Sequence, residues 1–237
     1  MSVPAARRFY KEVTSRRQDD GCTVELDGKA VKTPAKHMLL LPSAALGEAV
    51  ADEWRAQEED IRPDSMPLTR LACTAIDRVS PGRTAIVDQV SAYGATDLLC
   101  YRADGPTDLI EEQSAQWQPL LDWAADEISA PLVAGSGVVH VAQSEDALAA
   151  LRRRVDRFSS FELTAVADLT QITGSLVLAL AVVCRRLSWQ QAFDCSRLDE
   201  HWQNRQWGED AEAAARTETL SRDVEAAAQF FELSGTD

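Results

Sequence analysis

The 237-residue sequence predicts an α+β fold: a small N-terminal mixed α/β domain with antiparallel hairpin strands, followed by a larger, mainly α-helical domain. Three observations carry this. Two β-prone runs flank Asp27-Gly28, the dipeptide that supplies the positive φ angles of a two-residue hairpin turn. Helical periodicity starts after Ser43 and dominates the rest of the chain. Pro81-Gly82 interrupts that pattern, placing the domain boundary between residues 1–80 and 81–237.

Taken in order, Cys22–Leu26 and Lys29–Thr33 form the hairpin, with Leu26 opposite Lys29 and Val24 opposite Val31. Val24, Leu26 and Val31 then share one face. Met38–Leu41 reads as a third strand between Pro34 and Pro42. Ser43 is placed to cap a helix reaching about residue 61, with Leu46, Val50 and Trp54 recurring every fourth position. Pro63 and Pro67 break the chain before a second helix to Val79, striped by Leu68, Leu71, Ala72, Ala75, Ile76 and Val79.

Beyond the boundary, 84–94 is helical and Leu98–Tyr101 is short and β-tolerant. A long amphipathic stretch, 107–128, contains Pro119, where a kink or a fresh turn is expected. Val138–Val141 reads as extended, and Ser144 opens a helix through Val155. Further helices are expected at about 161–172, 175–187, 189–206 and 210–233. The third of these comes directly after Ser188-x-x-Gln191 begins, a capping-box match.

Composition narrows the function. A formal charge of −14, with 24 Lys and Arg against 38 Asp and Glu, argues against nucleic-acid binding, which needs clustered cations. The same balance favours basic surfaces on a protein partner. Five scattered cysteines lack a C-x-x-C pair and read as small core residues in a reducing compartment, not a disulfide frame or zinc site. The longest apolar run, Leu176–Cys184, is far below the ~20 residues that span a bilayer. With no secretory or organellar leader pattern at the start, the expectation is a cytoplasmic, monomeric protein without cofactor, metal or membrane insertion.

Motifs for chemistry are sparse. Gly21 and Gly28-Lys29 do not fit a P-loop, because the glycines are seven apart and Ala30 comes after the lysine. His37, His140 and His201 have no His or Cys at ligand spacing. Glu58-Glu59-Asp60 and Glu111-Glu112 read as solvated helix faces. Asp199-Glu200 stands out, since Trp189, Trp202 and Trp207 surround it, and aromatics beside charges make anchors for a partner surface. The 208–237 segment holds eight acids against two arginines, so Glu209 and Asp210 extend an acidic rim able to steer a basic client.

Eight blocks in order resemble the assembly chaperones that hold the alpha subunit of the ATP synthase F1 sector. They are Arg8–Val13, Leu26–Lys29 with Lys32–Pro34, Ala51–Trp54, Met66–Leu71 with Ala75–Val79, Thr96–Arg102, Trp117–Trp123, Thr173–Ser175 with Leu198–Glu200, and Trp207–Glu212. The resemblance implies a small α/β domain before a helical one. It also implies a function, transient capture of the unassembled alpha subunit until the beta subunit replaces it, in a bacterial cytoplasm. It places the family's important acid on Glu200 and its important tryptophan on Trp54, with Arg70, Asp77 and Arg78 in the motif blocks. Trp54 lies on the apolar stripe and reads as structural, which leaves Glu200, Asp199, Trp202, Trp207, Glu209 and Asp210 as the client-binding set. Two other readings stand beside this one: a hydrolase using Asp199, Glu200 and His201, and a small-molecule binder with a tryptophan-lined cavity.

Overall fold

Asp27 and Gly28 both take positive φ, 48° and 75°, and the tight turn they make organises the first sheet. The computed structural model describes residues 7–137, 139–208 and 210–235. Strand β2 (Gly21–Leu26) sits centrally, with β1 (Val13–Gln18) antiparallel along one edge from Val13↔Leu26 to Gln18↔Gly21. Its other edge is shared by β3 (Lys29–Ala30) and β4 (Leu40–Leu41). Leu26 pairs with Lys29, and the Val31 amide donates to the Val24 carbonyl at 2.8 Å, the expected hairpin register. Val24, Leu26 and Val31 are all buried on the core face.

Helix α1 (Ala44–Arg55) lies against this sheet, its start capped by Ser43 Oγ accepting from the Leu46 amide at 3.0 Å. The helix stops six residues before the point its charged tail suggests. Gln57 explains the stop: its buried amide donates to the Glu53 carbonyl and accepts from the Arg62 amide, folding the chain back. Helix α2 (Pro67–Thr74) begins with Pro at its first position, where a missing N–H costs nothing. Glu53 caps it from α1, accepting from the amides of Leu68 and Thr69 and from Thr69 Oγ1 at 2.6–2.8 Å. The apolar stripe continues to Val79, but residues 75–79 form a widened π-helical turn instead of regular helix.

The first compact unit comprises residues 7–83, 159–165 and 229–235. Its core gathers Tyr10, Val24, Leu39, Leu41, Leu46, Val50, Leu68, Ala72 and Phe230, with Phe161 stacked on Phe230 at 5.9 Å. Burying each such large side chain contributes about 1.5–3 kcal/mol.

The second unit comprises residues 84–158 and 166–228, apart from 138 and 209. It contains α3 (Arg83–Ala92), whose first residue belongs to the other unit, then a 3₁₀ turn at Leu98–Cys100 and β5 (Tyr101–Arg102). Helix α4 (Thr107–Ile128) runs through Pro119 without a fresh start. β6 (Gly135–Ser136) pairs parallel with β5, and residues 139–141 form no strand; Val138 lies outside the described residues. Helices α5 (Glu145–Val155), α6 (Ser160–Thr173), α7 (Leu176–Val183), α8 (Trp189–Ser196), α9 (Leu198–Trp207) and α10 (Ala211–Leu233) complete the chain, with residues 160–165 of α6 and 229–233 of α10 belonging to the first unit. The capping box is present, with Ser188 and Gln191 satisfying each other's backbone N–H. The single helix expected over 189–206 is two helices, broken at Arg197, whose backbone leaves the helical region at φ −109° and ψ 16°.

Asp97 pins this unit from within. Fully buried, it accepts from the Leu99 amide at 3.1 Å, from Ser175 Oγ at 2.7 Å and from the Val177 amide at 3.0 Å. It thereby ties the 3₁₀ turn to the first turn of α7. Burial pushes its carboxyl above the usual range, outweighing these donors. Among the described residues no helix is long and apolar enough to cross a membrane.

Candidate functional site

Two faces of α9 divide the work. One is fastened to α4 by three side-chain links: Gln113 Nε2 donates to Asp199 Oδ1 at 2.7 Å, Trp202 Nε1 to Asp108 Oδ2 at 3.2 Å, and Arg205 to Glu112. The other presents Glu200, Gln203 and Trp207, all exposed. Positions 200, 203 and 207 fall on one side because i, i+3 and i+7 share a helix face.

Trp207 is 76 % exposed, extreme for so large an apolar side chain. Its ring meets Trp202 edge-to-face at 5.8 Å, which orders an aromatic platform without burying it. Gly208, at φ 89°, ends the helix directly behind it. Asp210 accepts from the amides of Glu212 and Ala213 at 3.0 Å, so it caps the α10 N-terminus while remaining exposed. Glu209 lies outside the described residues.

Glu200 borders a cleft of about 270 Å³ between α9 and the end of α6. Leu98, Trp117 and Ile172 supply its apolar lining, and Arg197, Asp199 and Glu200 its charges. Arg197 donates to Glu200 at 2.9 Å and to the Ile172 carbonyl at 3.1 Å, with its guanidinium over Phe193. Trp117 is buried, donating from its indole to the Cys195 carbonyl at 3.0 Å while Arg102 stacks on its ring at 5.1 Å. The rigidity of this wall comes from Gln113, which is 1 % exposed. Besides holding Asp199, it accepts from the Ala103 amide through Oε1 and from Arg102 through its own carbonyl. Sequence spacing held no sign of Gln113, because Asp199 lies 86 residues further along the chain; the i,i+3 spacing of Arg197 and Glu200 is a local signal that could have paired them.

Of the motif residues of the first unit, Trp54 packs on a neighbouring ring and Asp77 bonds to a loop. Trp54 leans edge-to-face on Tyr10 at 5.7 Å, and Tyr10 Oη donates to the Trp54 carbonyl at 2.7 Å. Asp77 gathers the 33–37 loop, accepting from Thr33 Oγ1 at 2.7 Å and the Ala35 amide at 3.0 Å, and meeting His37 Nδ1 at 2.9 Å. Burial pushes its carboxyl up, but those three bonds together hold it below the usual range. Arg70 reaches Asp64 at 4.0 Å, and Arg78 is exposed on the widened turn.

For chemistry the arrangement offers little. Among the described residues no hydrogen bond joins His201 to Asp199 or Glu200, and no group of three His, Cys, Asp or Glu side chains could hold a metal. Burial pushes the Cys73 thiol up to about 11 and the Cys100 thiol to about 12, far from the thiolate a nucleophile needs. Cys22, Cys100 and Cys195 are buried as expected for core cysteines, whereas Cys184 is exposed and accepts from Arg154 at 3.2 Å.

A helix-mounted aromatic and acidic face, braced from behind, defines a surface suited to meeting another protein. The chain belongs to the ATP12 chaperone family, described as ATP12 chaperone protein, which matches residues 7–125. The structure is similar to Atp12 from Paracoccus denitrificans, with 42 % sequence identity and a TM-score of 0.93 over 97 % of this chain and 99 % of that one. It is likewise similar to the Atu1473 protein of Agrobacterium tumefaciens, with 38 % identity and a TM-score of 0.94 over 98 % and 87 % of the two chains. In sequence it is 24 % identical over 217 residues to the mitochondrial protein atp12 of Schizosaccharomyces pombe, spanning 86 % of this chain and 75 % of that protein.

Proposed function

We propose that this protein is an assembly chaperone of the ATP synthase F1 sector that holds the unassembled alpha subunit and prevents its aggregation until the beta subunit takes its place. It acts in a bacterial cytoplasm as a monomer, without cofactor, metal or catalytic turnover. The client-binding set is Glu200 and Trp207 on the outer face of α9, Asp199 and Trp202 on its braced side, Asp210 at the start of α10, and Glu209, which lies outside the described residues. Trp54, Arg70, Asp77 and Arg78 keep the first unit in shape.

One observation carries this reading: within a chaperone family, a tryptophan stands 76 % exposed on a helix whose opposite face is locked by three side-chain links. An unassembled subunit exposes apolar interface that aggregates, and an aromatic platform rimmed by acids can cover such a surface while steering its basic patches. Micromolar affinity, about −8 kcal/mol, would suit handover to a better partner.

The test is suppression of alpha-subunit aggregation by purified protein, measured by light scattering, with Glu200→Lys and Trp207→Ala compared at equal fold stability. Both variants should protect at least about tenfold less well, the loss of roughly 1.4 kcal/mol. If both protect as the parent does, this face is not the client surface; if the parent itself fails to protect, the alpha subunit is not the client.

A further inference from the structure

We infer that the cleft beneath Glu200 is a subsite for a single cationic side chain, arginine or lysine, borne by the client, and that Asp199 supplies the charge that holds it. The inference rests on the chaperone reading for where the cation comes from, though not for the subsite itself.

The charges of the lining do not balance. Two carboxylates, Asp199 and Glu200, face one guanidinium, Arg197, leaving one net negative charge in a concave, partly apolar site. Arg197 gives Nη1 to Glu200 and Nη2 to the Ile172 carbonyl, while its buried Nε has no hydrogen-bond partner. Asp199 has only neutral Gln113 as its hydrogen-bonded side-chain partner among the described residues. A carboxylate fixed by a buried amide and lacking a cation is pre-organised to accept one, so little ordering cost remains at binding.

The site also displays the chemistry it would take. Ile172 lies in the last turn of α6, where carbonyls lack helical partners and carry partial negative charge. A guanidinium already sits there, since Arg197 bonds one of these carbonyls and a carboxylate at once. Leu98, Trp117 and Ile172 would line the aliphatic stem of an incoming Arg or Lys, as long cationic side chains bury their stems against apolar surface. Neighbouring acids thus have different tasks: Glu200 holds Arg197 and shapes the mouth, whereas Asp199 meets the ligand.

The test uses the intact protein and a minimal probe, Nα-acetyl-arginine amide, with the equally shaped but neutral citrulline derivative as control. Amide chemical shifts of Gly174, Ser196 and Asp199, tracked by two-dimensional NMR, should move saturably with the arginine probe and not with citrulline. Asp199→Asn keeps an oxygen for Gln113 and removes the charge, so it should weaken the probe about fivefold or more; Glu200→Gln should cost less. Equal response to both probes, or loss in Glu200→Gln with Asp199→Asn unaffected, would overturn the assignment. The two readings fail separately. If Asp199→Asn protects the alpha subunit as well as the parent, the cationic subsite is wrong and the chaperone stands. If the parent binds the probe as described but never protects the alpha subunit, the subsite stands and the client is another protein.

Discussion

Asp97 connects segments 78 residues apart through one buried carboxylate, and its replacement should show how far the helical unit depends on it. Asp97→Ala strips the acceptor from the Leu99 amide, Ser175 Oγ and the Val177 amide, all in a site closed to water. A buried donor left without an acceptor costs about 1–3 kcal/mol. Partial relaxation should keep the total near 4–5 kcal/mol, at the upper extreme for one substitution. For a chain of this size each kcal/mol moves the midpoint by about 2–4 °C, so thermal unfolding should begin roughly 10–15 °C lower. Asp97→Asn is the sharper probe. Donors approach both oxygens, so an amide must turn its NH₂ toward at least one of them, and about 2–3 kcal/mol should be lost despite near-identical shape. Urea unfolding monitored by circular dichroism reads the change as a lower midpoint at constant m. An Asn variant within about 0.5 kcal/mol of the parent would refute the claim that donors alone surround this carboxylate.

The first unit yields further expected outcomes. Because the Asp77 carboxyl is depressed in the folded state, its stabilising share is present above the unfolded value of about 3.9 and is lost as pH falls through the folded one. Asp77→Asn should therefore flatten the acid limb of the stability profile; an unchanged limb would show that the 33–37 loop does not draw on this charge. Glu53→Ala removes the two carboxylate oxygens that accept three hydrogen bonds at the start of α2 and should cost about 2–3 kcal/mol by urea unfolding. Gly47→Ala puts a Cβ at 2.9 Å from Cys22 Cβ and 3.0 Å from Ser15 Oγ, so packing of α1 on the sheet should weaken by about 1–3 kcal/mol. A Gly47→Ala protein as stable as the parent would mean that α1 can slide outward without loss.

Local signals were readable where a few neighbouring residues decide the structure. Asp27-Gly28 sets the hairpin and its register, and Ser43 and Ser188 cap helices through side chains within four residues. Strand β1 escaped notice because Val-Thr-Ser-Arg-Arg-Gln buries only its first residue and shows no alternation; pairing with β2 makes it a strand. The overextended α1 has a comparable origin. Helical periodicity persists past Arg55, but Gln57 bonds across the loop to Arg62, a contact that no period announces.

The candidate site was half legible for the same reason. Large aromatics next to acids are visible in the sequence, so Asp199, Glu200, Trp202 and Trp207 could be singled out together. Their separate duties could not, because each depends on a distant partner. Asp199 is positioned by Gln113, 86 residues away, and Trp202 by Asp108, 94 away, whereas Glu200 answers to Arg197 only three residues off. An acid satisfied within its own helix turn has its charge largely spent locally. One held from a remote helix by a neutral amide keeps its charge available. That distinction makes Asp199 the more informative residue to change, although Glu200 is the one that the sequence brings forward.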